Sequence, residues 1–113
     1  MSEITTHVLD LARGVPAPGV TVTLARADSA GHFATVGHAT TDADGRVRTF
    51  GAATAGGAGR YRLSFRMKEY FVGHGAPCFF PEVHLLFETG KADQKVHVPL
   101  LVSPFGYSTY RGS

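Results

Sequence analysis

The sequence predicts an all-β fold, an antiparallel β-sandwich, and three observations carry the prediction. Apolar residues alternate with others at a period of two in four segments. Val20, Val22 and Leu24 alternate with Thr21, Thr23 and Ala25, and Tyr61, Leu63 and Phe65 with Arg62, Ser64 and Arg66. Val83, Leu85 and Phe87 enclose His84 and Leu86, and Val96, Val98, Leu100 and Val102 enclose His97, Pro99 and Leu101. This period, with β-branched and aromatic content, marks half-buried strands. Turn signals recur every roughly 8–12 residues, the spacing of sandwich strands. Only Met67–His74 departs from period two, and its Met67, Lys68 and Glu69 favour one short helix.

In chain order, a short strand at Thr6–Asp10 ends where Gly14, Pro16, Pro18 and Gly19 break the pattern. The Val20–Ala25 strand leads to a hairpin turn at Asp28-Ser29-Ala30-Gly31 and a strand at His32–Ala39. A second turn, Asp42-Ala43-Asp44-Gly45, precedes a strand at Arg46–Phe50, and the small, glycine-rich stretch 51–59 reads as a surface loop. The strands around Tyr61, Val83 and Val96 follow, with a last one at Gly106–Arg111, giving about seven or eight strands. Neither a repeat nor a linker interrupts the chain, so residues 1–113 read as a single domain. Pro99 cannot donate to a ladder, which predicts an edge or a bulge there. The face carrying His97, Pro99 and Leu101 is neither charged nor plainly solvated, so it is expected to meet another chain or line a cavity.

With 43% hydrophobic and 18% charged residues, the chain is expected to be globular. Its net charge is +2, and the 11 Lys and Arg are scattered rather than gathered on one basic face, which argues against nucleic-acid binding. No apolar run approaches the ~20 residues of a membrane-spanning helix. Met1–Thr6 lacks the charged and apolar regions of a secretory leader, and Cys78 has no partner for a disulfide. A cytoplasmic protein is the expectation.

Six histidines invite a metal, yet no pair shows His-x-x-x-His spacing and no Cys-x-x-Cys accompanies them. Asp42-Ala43-Asp44-Gly45 lacks the distal ligands of a calcium loop, so it reads as a plain turn. Cys78 has no basic neighbour to activate it. There is no Gly-x-Ser-x-Gly elbow, no phosphate loop at Gly56-Gly57 and no dinucleotide fingerprint. The end of the sequence is more informative. Tyr107-Ser108-Thr109-Tyr110-Arg111-Gly112-Ser113 pairs large rings with hydroxyls and lacks the composition of a frayed tail. It reads as a docked strand that places Ser113 within reach of a ligand.

Four islands combine into a pattern: Thr6-His7-Val8-Leu9-Asp10 with Arg13-Gly14-Val15-Pro16, then Thr41–Arg46, then Phe79-Phe80-Pro81-Glu82-Val83, then His97-Val98-Pro99-Leu100-Leu101-Val102-Ser103-Pro104 running into Tyr110-Arg111-Gly112-Ser113. Over nearly the whole chain this resembles the transthyretin-related 5-hydroxyisourate hydrolases. The resemblance implies a transthyretin-like sandwich of two four-stranded sheets with one short helix. It also implies a homotetramer, a dimer of dimers whose central channel holds the active sites. The implied reaction belongs to urate and purine degradation: 5-hydroxyisourate is hydrolysed to 2-oxo-4-hydroxy-4-carboxy-5-ureidoimidazoline with no metal or other cofactor. The family's catalytic positions would fall on His7, Arg46, His97 and Ser113, and its substrate-binding positions on His7, Arg46, Tyr110 and Ser113, with Tyr110 as the channel tyrosine.

That chemistry suits the side chains. Opening a cyclic amide needs an activated water, a stabilised carbonyl oxygen and a proton for the leaving nitrogen. A neutral imidazole is a base suited to neutral pH, and an arginine beside it offers a planar fork to a purine-like ring and depresses a neighbouring histidine's pKa. His7 and His97 are both candidates for the base, and Arg48, two residues after Arg46, is a second candidate for substrate contact. The alternative is a transthyretin-like carrier holding a small aromatic ligand in the same channel. A carrier channel is expected to be more apolar at the positions of His7, His97 and Tyr110.

Overall fold

A computed structural model describes residues 3–51, 58–91 and 95–113. The loop expected at 51–59 therefore lies, from 52 to 57, outside the described residues. The strands are β1 (Glu3–Asp10), β2 (Val15–Pro16), β3 (Thr21–Ala27), β4 (Phe33–Thr40), β5 (Arg46–Val47), β6 (Gly59–Arg66), β7 (Glu82–Thr89), β8 (Lys95–Ser103) and β9 (Gly106–Thr109), with α1 (Met67–Gly73) between β6 and β7. They form two sheets. One runs β4-β3-β6-β7 and is antiparallel throughout; the other runs β2-β1-β8-β9, with the two-residue β5 also pairing β1. Within this sandwich one pair is parallel: β1 and β8 align from Glu3 opposite Lys95 to Asp10 opposite Val102.

The alternation seen in the sequence is the alternation of burial. Val22, Leu24, Tyr61, Leu63, Phe65 and Val83 from one sheet meet Ile4, Val8, Val96, Val98, Leu100 and Val102 from the other. Each fully buried side chain of this kind contributes about 1.5–3 kcal/mol. The helix closes one end of the core with Met67, Tyr70 and Phe71. Its first backbone N–H groups have no side-chain cap; Met67 and Lys68 donate instead to the Pro81 carbonyl, at 2.9 and 3.0 Å. Asp10, buried at the end of β1, accepts from the Tyr70 hydroxyl at 2.7 Å and from the Ala12 and Arg13 backbone at 3.0 and 3.1 Å. Burial and this carboxylate both raise the Tyr70 pKa.

Two expectations shift. The strand expected at Arg46–Phe50 pairs only over Arg46–Val47, because Arg48 turns out toward Asp42 while Phe50 returns to the core. Pro99 sits on a central strand, not at an edge. The β8–β9 ladder pairs Leu100 with Thr109, lapses at Pro99, and resumes in the same register where His97 bridges Gly112. The missing N–H is absorbed as this local gap, and the Thr109 hydroxyl donates to the Pro99 carbonyl at 2.7 Å.

Candidate active site

The turn before β5 builds one wall of the site. The Asp42 carboxylate accepts from the backbone N–H groups of Asp44 and Arg46, at 2.9 and 3.0 Å. Those bonds, that to Arg46 first, hold its carboxyl below the usual pKa. Gly45 has a φ of 74°, and a Cβ there would lie 2.5 Å from the Val8 carbonyl oxygen, so only glycine fits. The Val8 N–H donates to the Gly45 carbonyl at 2.7 Å, docking the turn on β1. In consequence Arg46 stands directly opposite His7. His7 Nε2 lies 2.9 Å from the Asp44 carbonyl, which can only accept, so Nε2 carries the hydrogen.

The second wall comes from β8 and the tail. His97 is the parallel-ladder partner of Thr5, and its Nδ1 lies 2.8 Å from Thr5 Oγ1. Its carbonyl accepts from the Gly112 N–H at 2.7 Å. A Cβ on Gly112 would stand 2.5 Å from His97 Cδ2, so the tail passes flat against the imidazole edge only because residue 112 is glycine. Ser113 follows into the same cleft.

That cleft, of about 440 Å³, is lined by Arg46, Arg48, Lys95, His97, Thr5 and Ser113 among others. It is large enough for a small heterocycle. Positively charged side chains outnumber the acidic one, Glu3, among the described residues of its lining. The pKa of His97 is lowered, first by burial, then by the Arg46 guanidinium and by His7. That of His7 is lowered as well, by burial and by Arg46, against the Asp44 carbonyl and the Asp42 and Asp44 carboxylates, which act the other way. Both imidazoles are thus biased toward the neutral form. Among the described residues, Nδ1 of His7 and Nε2 of His97 are the imidazole nitrogens of this pair without a hydrogen-bond partner, and of the two rings it is His97 that lines the cleft.

Of the residues singled out in the sequence, Arg46, His97 and Ser113 share this cleft, and His7 adjoins it through Arg46. Tyr110 does not line it. Its side chain, 58% exposed, lines a groove of about 320 Å³ between β7 and β9 with His84, Leu86 and Arg111. Thr5, Lys95 and Gly112 were not singled out. Thr5 was within reach of sequence reasoning, since it lies two residues before His7 on the same strand face. Among the described residues no three His, Cys, Asp or Glu side chains converge as a metal-ligating group.

Comparison with known proteins agrees with the fold. Residues 4–112 match the HIUase/Transthyretin family. The chain is 44% identical to the 5-hydroxyisourate hydrolase of Caulobacter vibrioides over 117 aligned residues, covering 100% of both chains. It is 39% identical to that of Mus musculus, covering 99% of this chain and 96% of the relative. The solved 5-hydroxyisourate hydrolase of Klebsiella pneumoniae superposes with a TM-score of 0.86 at 39% identity, each chain covered in full. Sea bream transthyretin in complex with thyroxine superposes with a TM-score of 0.90 at 25% identity, covering 97% of this chain and 94% of the other. With residues 4–112 matched to the family and the fold superposing over the full length of a solved relative, this chain belongs to the HIUase/Transthyretin family.

Proposed function

We propose that this protein is a 5-hydroxyisourate hydrolase acting in urate breakdown, and that Arg46, His97 and Ser113 carry the reaction with His7 in support. The observation that carries the reading is the convergence of these groups on one cationic cleft, where a neutral imidazole stands beside a guanidinium. Identity points the same way: 39–44% to the hydrolases of mouse and Caulobacter, against 25% to sea bream transthyretin. A carrier of apolar ligands has no use for such a cleft.

In the proposed reaction His97 is the base. Its Nε2 takes a proton from a water molecule as the water oxygen adds to the ring carbonyl. The guanidinium of Arg46 donates to the carbonyl oxygen as negative charge gathers there, an interaction worth roughly 10²–10³ in rate for a single well-placed donor. The C–N bond then breaks, and the proton held by His97 passes to the leaving nitrogen, leaving a carboxylic acid that loses its remaining proton to solvent water. A positioned base of this kind contributes roughly 10²–10⁴-fold. His7 holds the turn that carries Arg46 through its hydrogen bond to the Asp44 carbonyl, and the Ser113 hydroxyl donates a hydrogen bond to the bound ring.

The protein acts as a homotetramer, a dimer of dimers. The edge strands β7 and β9 border the same groove, and both flank exposed apolar side chains, Leu86 at 61% and Tyr110 at 58%. Such edges suit pairing with a second copy, and Tyr110 reaches the substrate channel only in that assembly. The protein works in the cytoplasm, and among the described residues no helix is long and apolar enough to cross a membrane.

The test is the decay of freshly generated 5-hydroxyisourate. Added protein should speed it well above the spontaneous rate; no acceleration would end the hydrolase reading. His97→Asn, checked for an intact tetramer, should lose at least ~10²-fold in turnover. Undiminished turnover would remove His97 from the role of base.

A further inference from the structure

Thr5 and His97 are direct partners across the parallel β1–β8 ladder, and both face the cleft. Their side chains meet at 2.8 Å, Oγ1 to Nδ1. The threonine is β-branched and half-buried on a regular strand, so its hydroxyl has little freedom to leave. On the other side of the imidazole, Gly112 packs against the Cδ2 edge. The ring is therefore gripped at two places, and Nε2 is the polar atom left toward the cleft.

We propose that Thr5 is a positioning residue for His97: Oγ1 accepts a hydrogen bond from Nδ1–H, and so holds the ring in the tautomer whose Nε2 lone pair faces the cleft. A hydroxyl can donate or accept, and the reaction decides between the two. Once His97 takes up a proton, both ring nitrogens are donors, and Thr5 can then only accept. An arrangement that already accepts needs no reorganisation at that moment. The nitrogen that reacts is set by the bond its partner nitrogen makes. The acceptor also matters because the surroundings resist protonation: Arg46 and Arg48 on the β5 side, Lys95 on β8 and His7 on β1 face the cleft or adjoin it, with Glu3 opposing them and Ser113 closing the tail side. This inference rests on the hydrolase reading for its kinetic consequences but not for its tautomer.

The test combines spectroscopy with three variants. Nitrogen-15 NMR of the wild-type tetramer, above the titration range of His97, should show Nδ1 protonated and Nε2 bare. Thr5→Val keeps the shape and removes the hydroxyl. It should lower kcat by roughly 10- to 100-fold, the usual loss for an orienting partner, with KM little changed. It should also move the acid limb of the kcat profile to lower pH, because the protonated ring loses its acceptor. Thr5→Ser should restore rate and pH profile, and Thr5→Ala should not. A wild-type spectrum showing Nε2–H overturns the proposal, as does a folded T5V enzyme with wild-type kcat and pH profile. Should T5V fail to fold, the wild-type spectrum and T5A decide. Should the wild type fail to accelerate 5-hydroxyisourate decay, the hydrolase reading falls while the spectrum still decides the pairing.

Discussion

Gly112→Ala isolates the fit between the tail and the His97 ring. On the present backbone the new Cβ lies 2.5 Å from His97 Cδ2, 3.1 Å from Cγ and 3.2 Å from Cβ. Carbon atoms settle at about 3.5–4.0 Å from one another, so either the ring or the tail has to yield by about 1 Å. The ring is held at Nδ1 by Thr5, and the tail by its 2.7 Å hydrogen bond to the His97 carbonyl. Giving up one such bond costs about 0.5–1.5 kcal/mol, a small part of the ~5–15 kcal/mol that holds a domain together. Displacing a reacting group by about 1 Å is far more damaging, on the order of 10²-fold in rate. G112A should therefore lower kcat/KM for 5-hydroxyisourate by about 10²-fold while the melting temperature falls by about 2–12 °C, at roughly 4–8 °C per kcal/mol in a domain near this size. The measurement is kcat/KM from the decay assay, with a thermal melt and the sedimentation coefficient on the same sample. A folded tetramer with kcat/KM within about twofold of wild type would refute the close approach of tail and ring as a requirement for catalysis.

Gly45→Ala meets both a φ of 74° and the Val8 carbonyl oxygen at 2.5 Å. The left-handed backbone alone disfavours alanine by about 1–2 kcal/mol, so the denaturant midpoint should drop by more than that penalty implies, and activity should fall as Arg46 leaves His7. The lowered pKa values of His7 and His97 set a pH dependence. Both rings bind a proton more weakly folded than unfolded, so their contribution to stability is complete above 6.5, the ordinary histidine value, and is lost as pH falls below it. The acid limb of kcat/KM should likewise lie below 6.5 and move upward in Arg46→Gln, as a pH–rate series would show. Arg48→Ala removes an exposed ion pair with Asp42, 3.8 Å long. Stability should change by less than about 1 kcal/mol, and kcat/KM should fall much less than in Arg46→Ala; equal losses would show that the two arginines share the substrate. Removing Ser113 should reduce turnover while leaving the melting temperature nearly unchanged, since the residue is exposed.

Strand existence was legible because burial imposes a period of two, and Tyr61–Phe65 and Val96–Val102 wrote that period plainly. The two-residue strands were not. Val15–Pro16 is too short for a pattern, and Arg46–Val47 was legible only as the start of a longer strand, because the Asp42 turn that brings it to β1 sets how little of it pairs. The parallel pairing of β1 with β8 was invisible as well, since nothing local to Thr5 or His97 announces a partner 92 residues away. Arg46, His97 and Ser113 were reachable as residues through the family motifs, but the hydrogen-bond roles of the two histidines were not. Those depend on a turn carbonyl at Asp44 in one case and a strand hydroxyl at Thr5 in the other. Tyr110 marks the same limit from another side: its place outside the cleft of a single chain follows from the ladder gap at Pro99 and the resumed register at His97.

The parallel β1–β8 pair also bears on biosynthesis. Thr5 and His7 are synthesised well before the strand that pairs with β1 over its full length, 95–103, and before Gly112 and Ser113, which line the cleft. Until then β1 has only the short β2 and β5 beside it, and one edge of an apolar strand stays open. Contacts of such sequence separation are the slow ones in folding, on the millisecond-to-second scale for sandwiches. Synthesis that stops before Gly112 would thus yield a chain with most of its core and no working cleft, which makes activity a sensitive reporter of whether the tail has been made and docked.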